Sequence, residues 1–264
     1  MQAVLISLSS FGAAEVRRHG QLWFTRLAQD AGADGVEIRG ELLTHPAEEL
    51  PDIARAVAQR GSHVVYSSPE GLWAHHGALD VAALQRALDA AQLLGAPRLK
   101  MSIGGFGSAS HHELPRLAEL LRGQETELVI ENDQTAPAGT LDALQAFFRR
   151  ADEAGLRLGM TFDMGNWHWS GECPQEAARA FCERVAYVHC KGVQRQPRRW
   201  VAVPLADSAA PWRAVLRALP RGLPWAIEYP LAGEDLPAVT RDEIRQLRAA
   251  AAGLGAPAGL GAAA

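Results

Sequence analysis

The sequence has few cysteines, no surplus of positive charge and no long apolar run, and each absence excludes a class of protein. Its 264 residues include three cysteines, Cys173, Cys182 and Cys190, which are odd in number and lack CxxC spacing. This usage predicts a reduced, cytoplasmic protein rather than a secreted disulfide scaffold. The formal net charge is −4, and Lys and Arg are scattered, whereas a nucleic-acid-binding face needs a basic patch. We therefore expect no nucleic-acid partner.

No stretch of the sequence approaches the roughly 20 apolar residues of a membrane span. Residues 1–6 run straight into a strand-like segment, without the basic region and cleavage site of a secretory signal peptide. We expect no membrane partner. With 48% hydrophobic and 21% charged residues, the composition is typical of a globular enzyme.

The chain repeats one unit, in which an Ala/Leu/Arg-rich helix stops at a glycine and a short apolar strand follows. The helical residues 54–60 stop at Gly61 before strand 63–67, and 84–94 stop at Gly95 before strand 98–103. Glycine just past a helix end adopts the left-handed conformation that other residues resist. Units of about 30 residues indicate parallel strands with right-handed crossovers.

Eight such units predict an α/β fold, a single (β/α)8 TIM barrel over residues 1–248. A doubly wound open sheet is the alternative, but it would leave edge strands, and none of the runs is shorter or more charged than the rest. The Ala/Gly-rich residues 249–264 are expected to form a disordered tail. The predicted strands are 3–9, 35–39, 63–67, 98–103, 127–132, 158–163, 186–191 and 224–229.

Alternation within the strands predicts a polar barrel interior. In residues 36–39 the apolar pair faces the helices while Glu37 and Arg39 face inward, and the same phase turns Lys100 and Ser102 inward. We interpret Glu37 and Arg39 as a buried pair that holds the barrel together. The charged end of the interior is the carboxyl end of the strands, where active sites of this fold lie.

Four of the predicted strands end in a residue that can bind a metal ion: Glu131, Asp163, His189 and Glu228. A carboxylate that ends a hydrophobic strand must be solvated, paired or bound to a metal, because burying it alone is prohibitive. Ordinary solvated strand ends would explain any one of these residues. Four at matching positions favour a site for one divalent ion, Mn²⁺, Mg²⁺, Co²⁺ or Zn²⁺.

Four protein ligands on an octahedral ion leave two positions for a substrate. Adjacent carbonyl and hydroxyl oxygens can chelate those positions, which acidifies the neighbouring C–H by stabilising an enediolate. The expected substrate is therefore a small polyhydroxy carbonyl compound.

The strand ends VIEN (129–132), FDMGN (162–166), VHCK (188–191) and IE (227–228) resemble those of the xylose isomerase-like TIM barrels, in particular the sugar phosphate isomerase/epimerase group with its ketose 3-epimerases. Residues 6–11 and 131–135 also resemble epimerases of bacterial 2-ketogluconate utilisation. The resemblance implies that Glu131, Asp163, His189 and Glu228 hold the metal, and that Glu131 and Glu228 are the catalytic acid/base pair.

Four further residues are candidates for substrate binding. Asn166 stands where ketose 3-epimerases usually have a histidine; it can bond a substrate hydroxyl but cannot act as a base. Lys191 would bind a phosphate, a carboxylate or the enediolate oxygen, or else form a salt bridge within the barrel. Arg195, in a long loop over 195–204, matches a substrate-binding arginine of related epimerases or is a solvated charge. Trp167 walls the pocket or anchors its loop.

The predicted function is a metal-dependent isomerase or epimerase of a small sugar, sugar acid or sugar phosphate. The alternative is a dehydratase or lyase, in which the same metal and base expel a β-hydroxyl from a keto-polyol. A non-catalytic sugar-binding barrel is disfavoured because both glutamates are present. A DNA-repair endonuclease of this superfamily needs a histidine-rich site, and the third and fourth strands end without histidine. Related barrels often form dimers, so a homodimer is one possible assembly of this chain.

Overall fold

The computed structural model describes residues 2–254, and these contain ten strands. Eight of them form a closed parallel barrel in the order β1-β10-β7-β6-β5-β4-β3-β2. This architecture confirms the predicted (β/α)8 class. The strands are β1 (Val4–Ser7), β2 (Gly35–Arg39), β3 (His63–Trp73), β4 (Arg98–Gly104), β5 (Glu127–Glu131), β6 (Gly159–Asp163), β7 (Val185–Cys190), β8 (Gly192–Gln196), β9 (Arg199–Val203) and β10 (Trp225–Ile227).

Helices connect the strands and cover the outside of the barrel. Gly61 (φ +60°) and Gly95 (φ +68°) end α3 and α4 in the left-handed conformation, as the repeat predicts. The helices are α1 (Ala13–His19), α2 (Gln21–Asp30), α3 (Pro46–Arg60), α4 (Val81–Leu94), α5 (Leu114–Leu121), α6 (Ala136–Gly139), α7 (Leu141–Glu153), α8 (Pro174–Phe181), α9 (Trp212–Ala218) and α10 (Leu236–Leu254). Within residues 2–254, none of these helices combines the length and the apolar character needed to cross a bilayer.

The barrel interior has an apolar floor beneath a polar layer. Leu5, Val65, Tyr187 and Ala226 form a small buried cluster inside the barrel. Because side chains on one face of a strand recur every second residue, the next inward positions are Ser7, Ser67, His189 and Glu228. The large apolar core lies between the strands and the helices. The polar layer therefore lies at the carboxyl ends of the strands.

Strand β3 is longer than the sequence indicates. It continues to Trp73 across an irregularity between Ser67 and Gly71, where its pairing with β4 shifts register. A Cβ on Gly71 would lie 2.9 Å from the Cα of Gly104, so the two strands meet here through a glycine pair. This close approach lets the extra residues of β3 remain in the sheet.

Two segments differ from the sequence-based expectation. The predicted loop 195–204 is mostly an antiparallel hairpin, in which β8 pairs with β9 and Arg195 lies opposite Trp200. The tail prediction was wrong for residues 249–254, which complete α10. Alanine is the best helix former, and Ala250, Ala251 and Leu254 pack against the core. Residues 255–264 lie outside the described residues.

Candidate metal centre

The four predicted ligands meet at one point. Glu131, Asp163, His189 and Glu228 each offer an atom that lies within 4.8 Å of the other three. The pairing of neighbouring strands brings these residues together. Glu131 of β5 pairs with Thr161 of β6, and Asp163 of β6 pairs with His189 of β7. The backbone N–H of Glu228 donates to the Cys190 carbonyl oxygen at the end of β7 (3.1 Å). The side chains of Asp163 and His189 are fully buried, and those of Glu131 and Glu228 are largely so.

His189 is the centre of this group. Its Nδ1 lies 2.8 Å from Glu228 Oε2, 2.9 Å from Glu131 Oε1 and 3.9 Å from Asp163 Oδ2. Its Nε2 lies 2.7 Å from Oε2 of the buried Glu37. Histidines that bind metals through one ring nitrogen commonly donate the other N–H to a carboxylate. The His189 ring has this arrangement.

Asp163 divides its two oxygens between two roles. Oδ1 accepts hydrogen bonds from the backbone N–H groups of Gly165 (2.8 Å) and Asn166 (2.9 Å), and so builds the turn that follows β6. Oδ2 is left to face the cluster. The local fold therefore fixes which oxygen is available at the centre.

Two buried oxygens of the cluster have no hydrogen-bond donor. Glu131 Oε1 and Asp163 Oδ2 accept no hydrogen bond, although they lie at ion-pair distance from His189 Nδ1 (2.9 Å) and Lys191 Nζ (2.7 Å). The positions of these atoms do not give hydrogen-bond geometry. Buried carboxylate oxygens need a partner, and three carboxylates with one imidazole suit a hard or borderline divalent ion. The residues present fit such an ion.

The electrostatics of the site favour a positive charge at the centre. Burial alone would lower the pKa of His189, but Glu228 and Glu37 raise it well above its usual value. Burial raises the pKa of Asp163 to about 7; Lys191 opposes this rise and Glu228 adds to it. Each shift reflects carboxylates crowded into a region with little water. A cation between them relieves that repulsion.

Three cations surround the carboxylates. Arg39 Nη1 lies 2.7 Å from Glu228 Oε1, and Lys100 Nζ lies 2.6 Å from Glu131 Oε2. Lys191 Nζ lies 2.7 Å from Asp163 Oδ2, 2.9 Å from Glu228 Oε2 and 3.0 Å from Asn166 Oδ1. Lys191 therefore stands beside the ligands, as part of the centre.

The chain matches the family model described as "Xylose isomerase-like TIM barrel" over residues 25–250. The chain belongs to this family. No curated protein sequence matches it. Its family membership confirms the resemblance drawn from the strand ends.

Several solved structures share the fold. An L-ribulose 3-epimerase is 17% identical, with a TM-score of 0.70 and 96% of each chain covered. A D-allulose 3-epimerase from Methylomonas sp. in complex with D-allulose is 16% identical, with a TM-score of 0.69 over 94% of this chain and 96% of that one. The probable 3-DHS dehydratase from Bacillus anthracis is 14% identical, with a TM-score of 0.69 over 94% of this chain and 99% of that one.

The candidate substrate-binding residues of this family member lie in different environments. Asn166 is buried: its Nδ2 donates to Asn132 O, and its Oδ1 accepts from Gln134 and Lys191. Trp167 is also buried, and its ring centre lies 6.0 Å from that of Phe181 and 5.6 Å from that of Phe162. This packing favours the interpretation that Trp167 anchors its loop.

Arg195 is exposed on β8. Its guanidinium lies 5.2 Å from the centre of the Trp200 ring, which in turn lies 4.9 Å from the His168 ring. The β8–β9 hairpin thus packs against the turn after β6 through Trp200 and His168.

The sequence pattern did not predict that Glu37 and Lys100 contact the candidate ligands. Both were predicted to face inward, and the Glu37–Arg39 contact is present (Oε1 to Nη1, 3.1 Å). Glu37 also contacts His189, and Lys100 contacts Glu131. The signal available in the sequence was their charge inside predicted buried strands, since unpaired buried charges are prohibitive.

Proposed function

We propose that this protein is a divalent-metal-dependent isomerase or epimerase of a small sugar, sugar acid or sugar phosphate. The observation that carries the proposal is that Glu131, Asp163, His189 and Glu228 each offer a ligand atom within 4.8 Å of the other three. Two oxygens of this group, Glu131 Oε1 and Asp163 Oδ2, are buried without a hydrogen bond. Mn²⁺, Mg²⁺, Co²⁺ and Zn²⁺ all suit this ligand set. A divalent ion held there would act as a Lewis acid toward adjacent carbonyl and hydroxyl oxygens.

Glu131 and Glu228 are the proposed proton-transfer groups. Glu131 is the last residue of β5 and Glu228 directly follows β10. Strands β6 and β7 separate β5 from β10 in the barrel, so the two carboxylates approach the centre from different sides. One glutamate would remove the proton next to the carbonyl group and the other would return a proton to the opposite face. This arrangement supports epimerisation through an enediolate of the substrate.

The proposed substrate-binding residues are Asn166, Lys191 and Arg195, with Trp167 supporting the turn that carries Asn166. The amide of Asn166 and the ammonium of Lys191 already meet at 3.0 Å beside the ligands. The ammonium would hold a developing oxyanion or a carboxylate of the substrate. Arg195, on the hairpin, would contact the distal end of the same molecule.

The named activities of similar structures support this choice, since two are ketose 3-epimerases. A dehydratase among them supports a second candidate, elimination of a β-hydroxyl from a keto-polyol by the same base. The low cysteine content supports a cytoplasmic location for either enzyme.

Incorporation of solvent deuterium into a panel of ketoses, keto-aldonates and their phosphates, with Mn²⁺ or Mg²⁺, tests the proposal. It reports C–H exchange without assuming a product. We expect exchange that depends on added metal and is abolished in His189→Ala. Exchange with a new epimer identifies an epimerase, whereas an absorbing enone identifies the dehydratase. No exchange with any member of the panel, by protein that binds metal, would remove both candidates.

A further inference from the structure

We propose that three charged residues, the buried Glu37 and Lys100 and the partly exposed Arg39, form a positioning hub that orients three of the four candidate metal ligands. The hub consists of Glu37 and Arg39 of β2 and Lys100 of β4. This inference rests on the proposed function and assigns a role to charges that the reaction itself does not use. None of the hub residues is among the four ligands.

Glu37 divides its two oxygens between the imidazole and the two cations. Oε2 lies 2.7 Å from His189 Nε2. Oε1 lies 3.1 Å from Arg39 Nη1 and 3.3 Å from Lys100 Nζ. A carboxylate at Nε2 keeps a proton on that nitrogen, so Nδ1 is the nitrogen that would offer its lone pair to a metal ion.

The two cations of the hub each hold one oxygen of a proposed acid/base glutamate. Arg39 holds Glu228 Oε1 (2.7 Å) and Lys100 holds Glu131 Oε2 (2.6 Å). The other oxygens of these glutamates are the ones within 2.9 Å of His189 Nδ1. Each glutamate is thus rotated so that one oxygen is used by the hub and the other is presented to the centre.

Barrel stability does not account for these charges. Glu37 is 0% exposed and Lys100 is 1% exposed. Removing ions from water costs free energy that their mutual attraction often fails to recover, and well-packed apolar residues at such positions are often as stable or more so. The layer below, with Leu5 and Val65, is apolar. Directional contacts to the ligands explain why the hub layer is charged.

The hub predicts a pattern among its members. Lys100→Met should misplace Glu131 alone, and Arg39→Met should misplace Glu228 alone. Changes at Glu37 should affect His189 and both glutamates. Glu37→Gln keeps an oxygen that accepts from Nε2–H but loses the charge that gathers the cations, whereas Glu37→Leu loses both, so the glutamine variant should retain more function.

Titration calorimetry with Mn²⁺ alone, on the full chain, tests the hub without any substrate. We expect Glu37→Gln to lower the Mn²⁺ affinity about 10-fold and Glu37→Leu up to about 100-fold, the range seen for outer-shell partners of metal ligands. Both substitutions leave Lys100 and Arg39 without one of their carboxylates, so the melting temperature of the metal-free protein should fall by a similar amount in the two variants, while the Mn²⁺ affinity falls further in Glu37→Leu. Glu127→Gln is the matched control, because Glu127 pairs with Arg98 at the other end of the β4–β5 pair (3.0 Å); its Mn²⁺ affinity should equal that of the wild type.

Each result decides the question. Wild-type Mn²⁺ affinity in both Glu37 variants, while the wild type itself binds, would overturn the hub and leave the proposed function intact. A wild type that binds no Mn²⁺, Mg²⁺, Co²⁺ or Zn²⁺ would instead overturn the proposed function. If Glu37→Leu fails to fold, Lys100→Met and Arg39→Met decide: lowered affinity in both supports the hub, and unchanged affinity in both overturns it.

Discussion

Asn132 and Asp163 are joined by two reciprocal hydrogen bonds. Asn132 Nδ2 donates to the backbone oxygen of Asp163, and the backbone N–H of Asp163 donates to Asn132 Oδ1, both at 2.9 Å. The Asn132 amide therefore pairs with Asp163 as a further residue of β5 would. Since Asn132 directly follows Glu131, this pair holds β5 against Asp163 and so fixes the distance between two of the four candidate ligands.

Replacement of Asn132 by Ala should destabilise the protein and weaken metal binding together. It leaves a buried N–H and a buried carbonyl without partners, each at a cost of about 1–3 kcal/mol. Urea unfolding and Mn²⁺ titration measure the two effects. Gln134→Ala is the control, because Gln134 makes one partly exposed bond to Asn166 (3.0 Å). Equal losses in the two variants would show that the reciprocal pair has no special role.

Gly165→Ala should act on catalysis through Lys191. A Cβ on Gly165 would lie 2.8 Å from both Cγ and Cδ of Lys191, so the lysine must move away from Asp163 and Glu228. The displaced ammonium would no longer reach the substrate that it is proposed to bind, and a hydrogen bond to a charged group contributes about 1.5–3 kcal/mol, so kcat/KM should fall about 10-fold or more. The same loss is expected for Lys191→Met, and the double variant should be no worse than either single one.

A position without such a neighbour provides the control for Gly165. A Cβ on Gly107 would meet nothing within 4 Å, so Gly107→Ala should keep wild-type kinetics. Additive effects of Gly165→Ala and Lys191→Met would contradict the proposed displacement of the lysine.

Arg195→Ala should raise KM more than it lowers the metal content, because its proposed partner is the substrate. Arg195 contacts the Trp200 ring (5.2 Å from the guanidinium carbon to the ring centre) rather than the ligands. Steady-state kinetics with the identified substrate and metal analysis are the measurements. Arg198→Ala, at the exposed hairpin turn, is the matched control. Unchanged kinetics in Arg195→Ala would assign this arginine to the solvated surface.

Glu131→Gln and Glu228→Gln should separate the two faces of the reaction. Glutamine keeps the size and one ligand oxygen but removes the base, so epimerisation should fall by about 10²-fold or more in either variant. Deuterium exchange needs only the base that faces the C–H. Each variant should therefore exchange one epimer and fail on the other, with the pattern reversed between the two. Full exchange and turnover in both variants, with metal bound, would remove these glutamates from the mechanism.

The clustering of the four candidate ligands was predictable because these residues lie at or next to strand ends. An apolar strand that ends in a charged residue can be recognised locally, and parallel strands that close into a barrel bring such ends to one face. Glu131, Asp163, His189 and Glu228 all follow this rule. The inward phase of Glu37 and Lys100 was predictable in the same way, since side chains alternate along a strand.

The partners of those inward charges were not predictable from local pattern. Glu37 and Arg39 are two residues apart and were paired with each other, whereas the contact of Glu37 with His189 spans 152 residues and depends on barrel closure. The hairpin was missed because Pro197 and Arg198 join β8 to β9 without the Asn-Gly or Asp-Gly signal of tight turns. Residues 249–254 were predicted to be a disordered tail because the sequence does not reveal that Ala250, Ala251 and Leu254 pack against the core.

Metal content is the most direct test of the account. The purified wild-type protein, incubated with Mn²⁺ and desalted, should retain about one ion per chain, bound through oxygens and one nitrogen at roughly 2.0–2.3 Å. Asp163→Ala and His189→Ala, each folded by circular dichroism, should lose the ion. A wild type that retains none of the four candidate metals, or variants that retain as much as the wild type, would contradict the assignment of these strand ends as a metal centre.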